Sequence, residues 1–245
     1  MTHKVKGIVL RVVKYGETSV IATLYTDLFG LQSYMVKGVR KSGKQKSATV
    51  NFFQAGAMLD LVVYRNPLKS LQFIREYQWN YLYRELFFHV TRNAVALYMV
   101  ELILHSIKEE ETNAELFDFF EKTFMQLDTA SEEEIANYPL GFTLQLAKIL
   151  GFKIHGQYSE KTPVLDLLEG SFVSEKPLHT YIVEGNCAAV TSVLNELNTF
   201  SVPKNLQLNH LIRRDLLKCY QQFFSLHLQN NGEMKTLPIL QAILQ

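Results

Sequence analysis

KVKGIVLRVVKYGETSVIATLYTDLFGLQSYMVKG, residues 4–38, is the stretch on which the fold turns. Segment 5–13 is rich in β-branched residues, which favour a pleated, half-buried backbone, and Gly7 within it marks a point where a strand can bend or bulge. KYGET at 14–18 supplies a turn. In SVIATLYT, 19–26, Val20, Ala22 and Leu24 stand against Ser19, Thr23 and Thr26, the period-two pattern of a strand with one buried face. Asp27 to Gly30 make the next turn, and LQSYMVKG, 31–38, is a third strand.

Beyond it, a polar loop, VRKSGKQKS, leads to AMLDLVVYR at 57–65, where Leu59, Leu61 and Val63 share a face. Asn66-Pro67 then turns the chain into LKSLQFIREYQW at 68–79. Five short strands joined by tight turns, with one longer basic loop between the third and fourth, match the inventory of an OB-fold barrel. Spacing alone also fits an SH3-like barrel; the OB reading is preferred.

From residue 80 the period changes. Positions 86–107 hold no helix breaker and enough apolar residues for a helix buried on most sides. Thr112 is placed to cap a second helix, in which Leu116, Phe119, Phe120, Phe124 and Leu127 follow three-four spacing. Ser131 with Glu134 resembles a capping box, but Pro139 predicts a fresh helix start with the proline in its first turn and Gly151 as C-terminal cap. Residues 152–185 read as a small hairpin. Helices over about 186–198 and 207–229 precede a short tail. The expected class is α+β and multidomain: an OB-fold barrel over 1–80, then a mainly α-helical domain over 81–245 with an irregular, partly β insert at 152–185.

Charge separates the same two parts. Residues 1–80 carry twelve Lys/Arg against four Asp/Glu, a net of +8, while the remaining 165 carry thirteen against twenty, a net of −7. A basic unit on an acidic remainder points the basic one at a polyanion. The chain has no apolar run long enough for a membrane helix and no signal-peptide pattern at its N-terminus, so a cytoplasmic, nucleoid-associated protein with no membrane partner is expected. Cys187 and Cys219 are read as reduced, buried thiols.

The densest cationic cluster is KGVRKSGKQK, which puts Lys37, Arg40, Lys41, Lys44 and Lys46 within ten residues and no acid among them. Phosphates attract such a loop, and release of condensed counterions supplies affinity that salt erodes. Arg11, Lys14 and Arg65 extend the charged track. Single-strand binding also needs flat surfaces for bases, and Tyr15, Tyr25, Tyr34 and Tyr64 are the candidates. In the helical part, HLIRRDLLK puts Arg213, Arg214 and Lys218 beside Leu211, Ile212, Leu216 and Leu217, a pattern that suits either a bundle surface or an acidic peptide.

Enzyme chemistry finds little support. The acidic stretch 109–134 holds ten carboxylates, but Glu109, Glu110 and Glu111 fall at a helix end and Glu132, Glu133 and Glu134 in a first turn, where the helix dipole favours them. A solvated face is the better account, which leaves a metal-dependent nuclease as the enzymatic rival. The seven histidines lack zinc-site spacing, and no phosphate-binding or nucleophile-elbow motif occurs, so no catalytic residue, metal or cofactor is expected.

The run GIVLRVVKYGETSVIATLYTDLFGLQSYMVKGVRKS resembles the N-terminal barrel of the RecO family of bacterial recombination mediators. The shared pattern is a GIVLR strand, YGE-x-S, a T-x-x-x-G turn and a KG-x-R loop. LGF at 150–152, LDLLEGSFVSEKPLH at 165–179 and the helix LIRRDLLKCYQQFFSLHL continue the resemblance over most of the chain. It implies an OB-fold followed by a helical domain and a non-enzymatic role. That role is to bind single-stranded DNA, with duplex DNA a second ligand, and to promote annealing of complementary strands. The resemblance further implies work with RecR, displacement of single-stranded-DNA-binding protein, and indirect help to RecA. Lys37 and Arg40 match the KG-x-R loop, and their DNA contact is implied by that match. Many members carry a four-cysteine zinc module between LGF and the later helices, where this chain has HGQYSEKTP, so zinc is not expected. The alternative, from the interaction class, is an adaptor whose Arg213, Arg214 and Lys218 dock the acidic tail of single-stranded-DNA-binding protein.

Overall fold

A computed structural model describes residues 1–39, 51–107, 112–197, 200, 203, 206, 208–228 and 232–244. Packing divides the chain into two compact units, Met1–Thr129 and Ala130–Gln245. The first holds β1 (Thr2–Tyr15), β2 (Ser19–Thr26), β3 (Gly30–Val36), β4 (Met58–Tyr64), β5 (Leu71–Trp79), α1 (Val90–Ser106) and α2 (Ala114–Thr129). The second holds α3 (Glu132–Ile149), β6 (Val164–Asp166), β7 (Ser171–Val173), β8 (Ile182–Val183), α4 (Gly185–Glu196), α5 (His210–His227) and α6 (Thr236–Ile243).

The five strands close into a barrel in the order β1-β2-β3-β5-β4. β1 is long enough to serve two partners. Its first half, Thr2 to Ile8, pairs with β4, and its second half, Gly7 to Tyr15, pairs with β2. The handover falls at Gly7, where a methyl group would sit 3.0 Å from Leu24 and 3.1 Å from Leu61, so a side chain there would crowd the core. A register shift between Val9 and Arg11 follows directly. Closure comes from a parallel pair, Ser33 to Met35 beside Leu71 to Phe73. That non-sequential pair makes a Greek-key barrel of the OB type and disposes of the SH3-like alternative.

The barrel interior is filled by Val9, Val20, Ala22, Leu24, Tyr34, Leu59, Leu61 and Val63 among others. The outer side of the β1–β2 pair is covered too. Ile8 lies opposite Tyr25, and the Tyr25 ring packs on Phe117 and Phe120 of α2, with centroids 6.4 and 5.4 Å away. The compact unit therefore runs on to Thr129, whereas the change of period near residue 80 marks only the end of the strands.

Several local expectations are corrected. The cap of α2 is Asn113 and not Thr112: the Asn113 side chain accepts from the Leu116 N–H at 3.0 Å. Pro139 does not start a helix. Ser131 and Glu134 form a complete capping box, and α3 runs through Pro139. A proline in a helix interior costs about 3 kcal/mol. Burying Ile135, Tyr138, Leu140, Phe142, Leu144 and Leu146 along the same helix contributes about 1.5–3 kcal/mol for each large side chain, which outweighs it. Gly151 ends α3 as expected, with φ of +89°, the Phe152 N–H on Ala147 O and the Gly151 N–H on Lys148 O. The tail contains α6.

Where the family resemblance places a zinc module, the chain builds a small sheet of order β7-β6-β8. Hydrogen bonds tie the turn before it: Ser159 Oγ to Thr162 Oγ1 at 2.8 Å, and Thr162 Oγ1 donating to Gln157 O at 2.8 Å. Cys187 and Cys219 lie on α4 and α5 as free thiols, and burial pushes the Cys219 thiol up to about 11.

One buried carboxylate organises the link between barrel and helices in the first unit. Asp128, near the end of α2, accepts the backbone N–H groups of Arg84, Glu85 and Leu86 at 3.0, 2.9 and 2.8 Å, and the Tyr81 hydroxyl at 3.3 Å. Burial works to raise its pKa, but these four donors outweigh it and hold the carboxyl below its usual value. A pKa lowered in the folded state means stability present above the unfolded value and lost as pH falls through the folded one. Asp128→Asn turns an amide N–H₂ toward two donors and should cost about 1.5–3 kcal/mol in urea denaturation at neutral pH. The gap between variant and wild type should narrow in acid, where the aspartate itself is protonated; a gap that stays constant with pH would contradict this account.

Candidate nucleic-acid interface

Strand alternation decides which side chains the barrel turns outward. Residues directly opposite one another on paired strands share a face. One outward row runs Arg11, Thr23, Ser33, Leu71 and the next runs Val13, Ile21, Met35, Phe73 across β1, β2, β3 and β5. Tyr64 of β4 lies opposite Phe73 and continues the second row. Thr23 Oγ1 and Ser33 Oγ are 3.3 Å apart within the first. Lys37 follows β3 in the same alternation, and its ammonium stands 5.3 Å from the centre of the Phe73 ring. The result is an apolar strip with hydroxyls along one side and cations at both ends.

The residues nominated by sequence divide over this geometry. Arg11, Lys14 and Lys37 are exposed, and none has a carboxylate partner among the described residues. Arg65 is partly buried, its guanidinium carbon 4.4 Å from the centre of the Phe29 ring in the β2–β3 turn, and Phe29 is also met edge-on by His3. Tyr15 and Tyr64 are 50 % and 46 % exposed. Arg40, Lys41, Lys44 and Lys46 lie outside the described residues.

Tyr34 is a correction. It is 1 % exposed and cannot meet a base, because it stands opposite Ala22 and Gln72 on the inward face. Tyr25 is likewise committed, to α2. The residues that sequence reading missed are Val13, Ile21, Met35 and Phe73. Alternation within 31–37 carried the signal for Met35, but the parallel pairing of β5 with β3 that brings Phe73 alongside has no local sequence mark.

The opposite side of the barrel differs in charge. There the first half of β1, β4 and β5 form a hollow lined by Lys4, Lys6, Asp27, Asp60, Glu76 and Gln78. Lys6 pairs with Glu121 at 3.2 Å, and Arg75 with Glu76 at 3.1 Å. Asp60 accepts from Asn80 at 2.8 Å and from Gln78 at 3.3 Å. Cations on that side stand among carboxylates, whereas the strip on β1–β2–β3–β5 has no acidic side chain among its described residues and only Glu17 in the adjoining turn.

In the second unit, Asn209 caps α5 by accepting from the Ile212 N–H at 2.9 Å, and Arg213 donates to Leu208 O at 2.5 Å. Burial lowers the pKa of the Arg213 guanidinium, which braces the helix start. Arg214 is exposed, with its Nε 3.4 Å from Asp215. Arg213, Arg214 and Leu217 line a groove with Ala136 of α3 and Pro238 and Leu240 of α6. Lys218 is exposed but is not among the residues that line this groove. Among the described residues no group of three or more His, Cys, Asp or Glu side chains is placed to hold a metal ion, and Glu134 of the acidic stretch is occupied by its cap.

Comparison with known proteins agrees with this architecture. Residues 1–83 match the model of the recombination protein O N-terminal domain, and residues 88–237 that of the recombination protein O C-terminal domain. The chain is 31 % identical over 239 residues to the DNA repair protein RecO of Christiangramia forsetii, covering 97 % of both chains. It is 27 % identical over 243 residues to that of Phocaeicola vulgatus and 28 % identical over 245 to that of Flavobacterium johnsoniae, with 99 % of each chain covered. A closed five-stranded barrel with a parallel closing pair, a helical remainder, and two adjoining family matches that span nearly the whole length place the chain in the RecO family.

Proposed function

We propose that the protein is a DNA repair and recombination mediator that binds single-stranded DNA along the outer face of β1, β2, β3 and β5. The observation that carries the reading is the asymmetry of the barrel. On one side Lys4, Lys6 and Arg75 stand among carboxylates; on the other, Arg11 and Lys37 flank an apolar strip without acids, and Lys14 is exposed where β1 ends. Phosphates then meet unpaired cations while bases meet carbon, the division of labour that sequence-independent single-strand binding uses. OB-folds present the face of strands 2 and 3 to oligonucleotides, and this strip lies there. The basic stretch carrying Arg40, Lys41, Lys44 and Lys46 follows β3 in sequence and adds four cations next to Lys37.

Held on such a surface, two strands have their mutual repulsion screened, which favours annealing. That action needs no catalytic residue. Cooperation with RecR and assistance to RecA at gapped DNA belong to the same reading, supported by membership of the family.

Fluorescence anisotropy with a labelled single strand tests the DNA-binding core of the proposal. With about four or five phosphates neutralised, log K against log salt should slope near −3. Replacing Lys37, Arg40, Lys41, Lys44 and Lys46 together by Ala should weaken all sequences alike and flatten the slope. A slope near zero in the wild type would remove the electrostatic driving force and the proposal with it.

The groove between α3, α5 and α6 favours a second reading, in which the helical unit docks the acidic tail of single-stranded-DNA-binding protein. Arginines beside Leu217 and Leu240 supply charge for carboxylates and apolar wall for the peptide. Because Arg213 braces Leu208 O, Arg214 is the residue that can be exchanged without disturbing the helix start. Arg214→Glu should lower the affinity of a tail peptide by about tenfold or more, the worth of one charge-assisted hydrogen bond. Equal binding of the peptide to wild type and variant in a calorimetric titration would exclude this groove.

A further inference from the structure

The partly exposed aromatics of the barrel are not equivalent. Tyr77 and Trp79 both pack on Phe52, and Phe29 is held between His3 and Arg65. Phe73 differs: among the described residues its ring meets no other ring, and it faces the Lys37 ammonium at 5.3 Å. Phe73 sits on the β5 side of the strip, with Tyr64 opposite it on β4 and Met35 beside it on β3.

We infer that the Phe73 ring is a base-stacking platform which Lys37 covers when no strand is bound and vacates for a phosphate when one is. The inference rests on the proposed single-strand reading and names the side chains that would carry its base contact. Lys37 is exposed and forms no ion pair among the described residues, so its flexible stem can swing aside without breaking one there. Magnitudes favour the exchange. An exposed cation over an aromatic face is worth about a 2- to 5-fold preference. A base stacked on an aromatic side chain is worth about 5- to 150-fold. The displaced ammonium then recovers its electrostatic energy on the phosphate of the same nucleotide or the next. Tyr64, neighbouring Phe73 in the row and half-exposed, is placed to take the adjoining base.

The test compares an oligothymidylate with an abasic strand of equal length, on the full chain. Phe73→Leu keeps the bulk of the side chain and removes the ring. It should weaken oligothymidylate binding about 5- to 150-fold per stacked base. Affinity for the abasic strand and the salt slope should stay at wild-type values. Phe73→Trp keeps a ring, guards against a Leu variant that fails to fold, and reports directly. Its added emission should be quenched by the oligothymidylate and not by the abasic strand. Unchanged oligothymidylate affinity in Phe73→Leu, equal losses on both strands, or a Phe73→Trp signal blind to the bases would each overturn the inference. A wild-type chain that binds neither strand fails at the earlier step and takes the proposed function down as well.

Discussion

The change of partner along β1 is the constraint from which the rest of the barrel follows. A strand that pairs with β4 through its first half and with β2 through its second must bend sharply between them. Gly7 lets the interior side chains Leu24 and Leu61 come close at that bend, and the register shift before Arg11 adds the local twist. With β1 bridging two neighbours, β3 and β5 meet in parallel and no strand edge is left open. Inside and outside are then assigned for every strand residue, since a slip of one position would turn the whole apolar set to water.

That assignment produces the difference in charge between the two sides of the barrel. After the shift, Arg11, Val13 and Tyr15 face outward together with Ile21, Thr23, Ser33, Met35 and Lys37. On the other side of the barrel, lysines share a hollow with carboxylates, and Lys6 is tied to Glu121 of α2. Net charge alone marked the unit as basic. Geometry divides its cations between those paired with carboxylates and those without such a partner among the described residues.

Both units are braced by buried polar groups satisfied in large part by the backbone. Asp128 gathers three consecutive N–H groups and a hydroxyl, fixing the path from β5 into α1. In the second unit, Thr191 Oγ1 meets the Tyr220 hydroxyl at 3.0 Å between α4 and α5, and Asn195 donates to Ile154 O at 3.0 Å. Phe152, which follows the Gly151 cap, packs on Phe223, Phe224 and His227 of α5. Such satisfied polar networks rigidify the helical body that carries the groove of α3, α5 and α6.

Much of this was legible in the amino-acid order, because strands and helices are local periodicities. The span of β2 and the start of the other strands to within a few residues, the Ser131–Glu134 box and the Gly151 cap are short-range patterns that neighbouring residues settle among themselves. The excess of cations in the first eighty residues is likewise a property of the chain as written. Tertiary structure alone decided the rest. Tyr34 and Tyr64 are equally aromatic in sequence, yet register turns one inward and the other out. Pro139 was tolerated because the helix it interrupts is buried along most of its length. Phe73 joined the candidate interface through a parallel pairing with a strand far away in sequence. Periodicity tells which residues share a face; only the closing of the barrel tells which face meets the solvent, and which cations remain there unpaired.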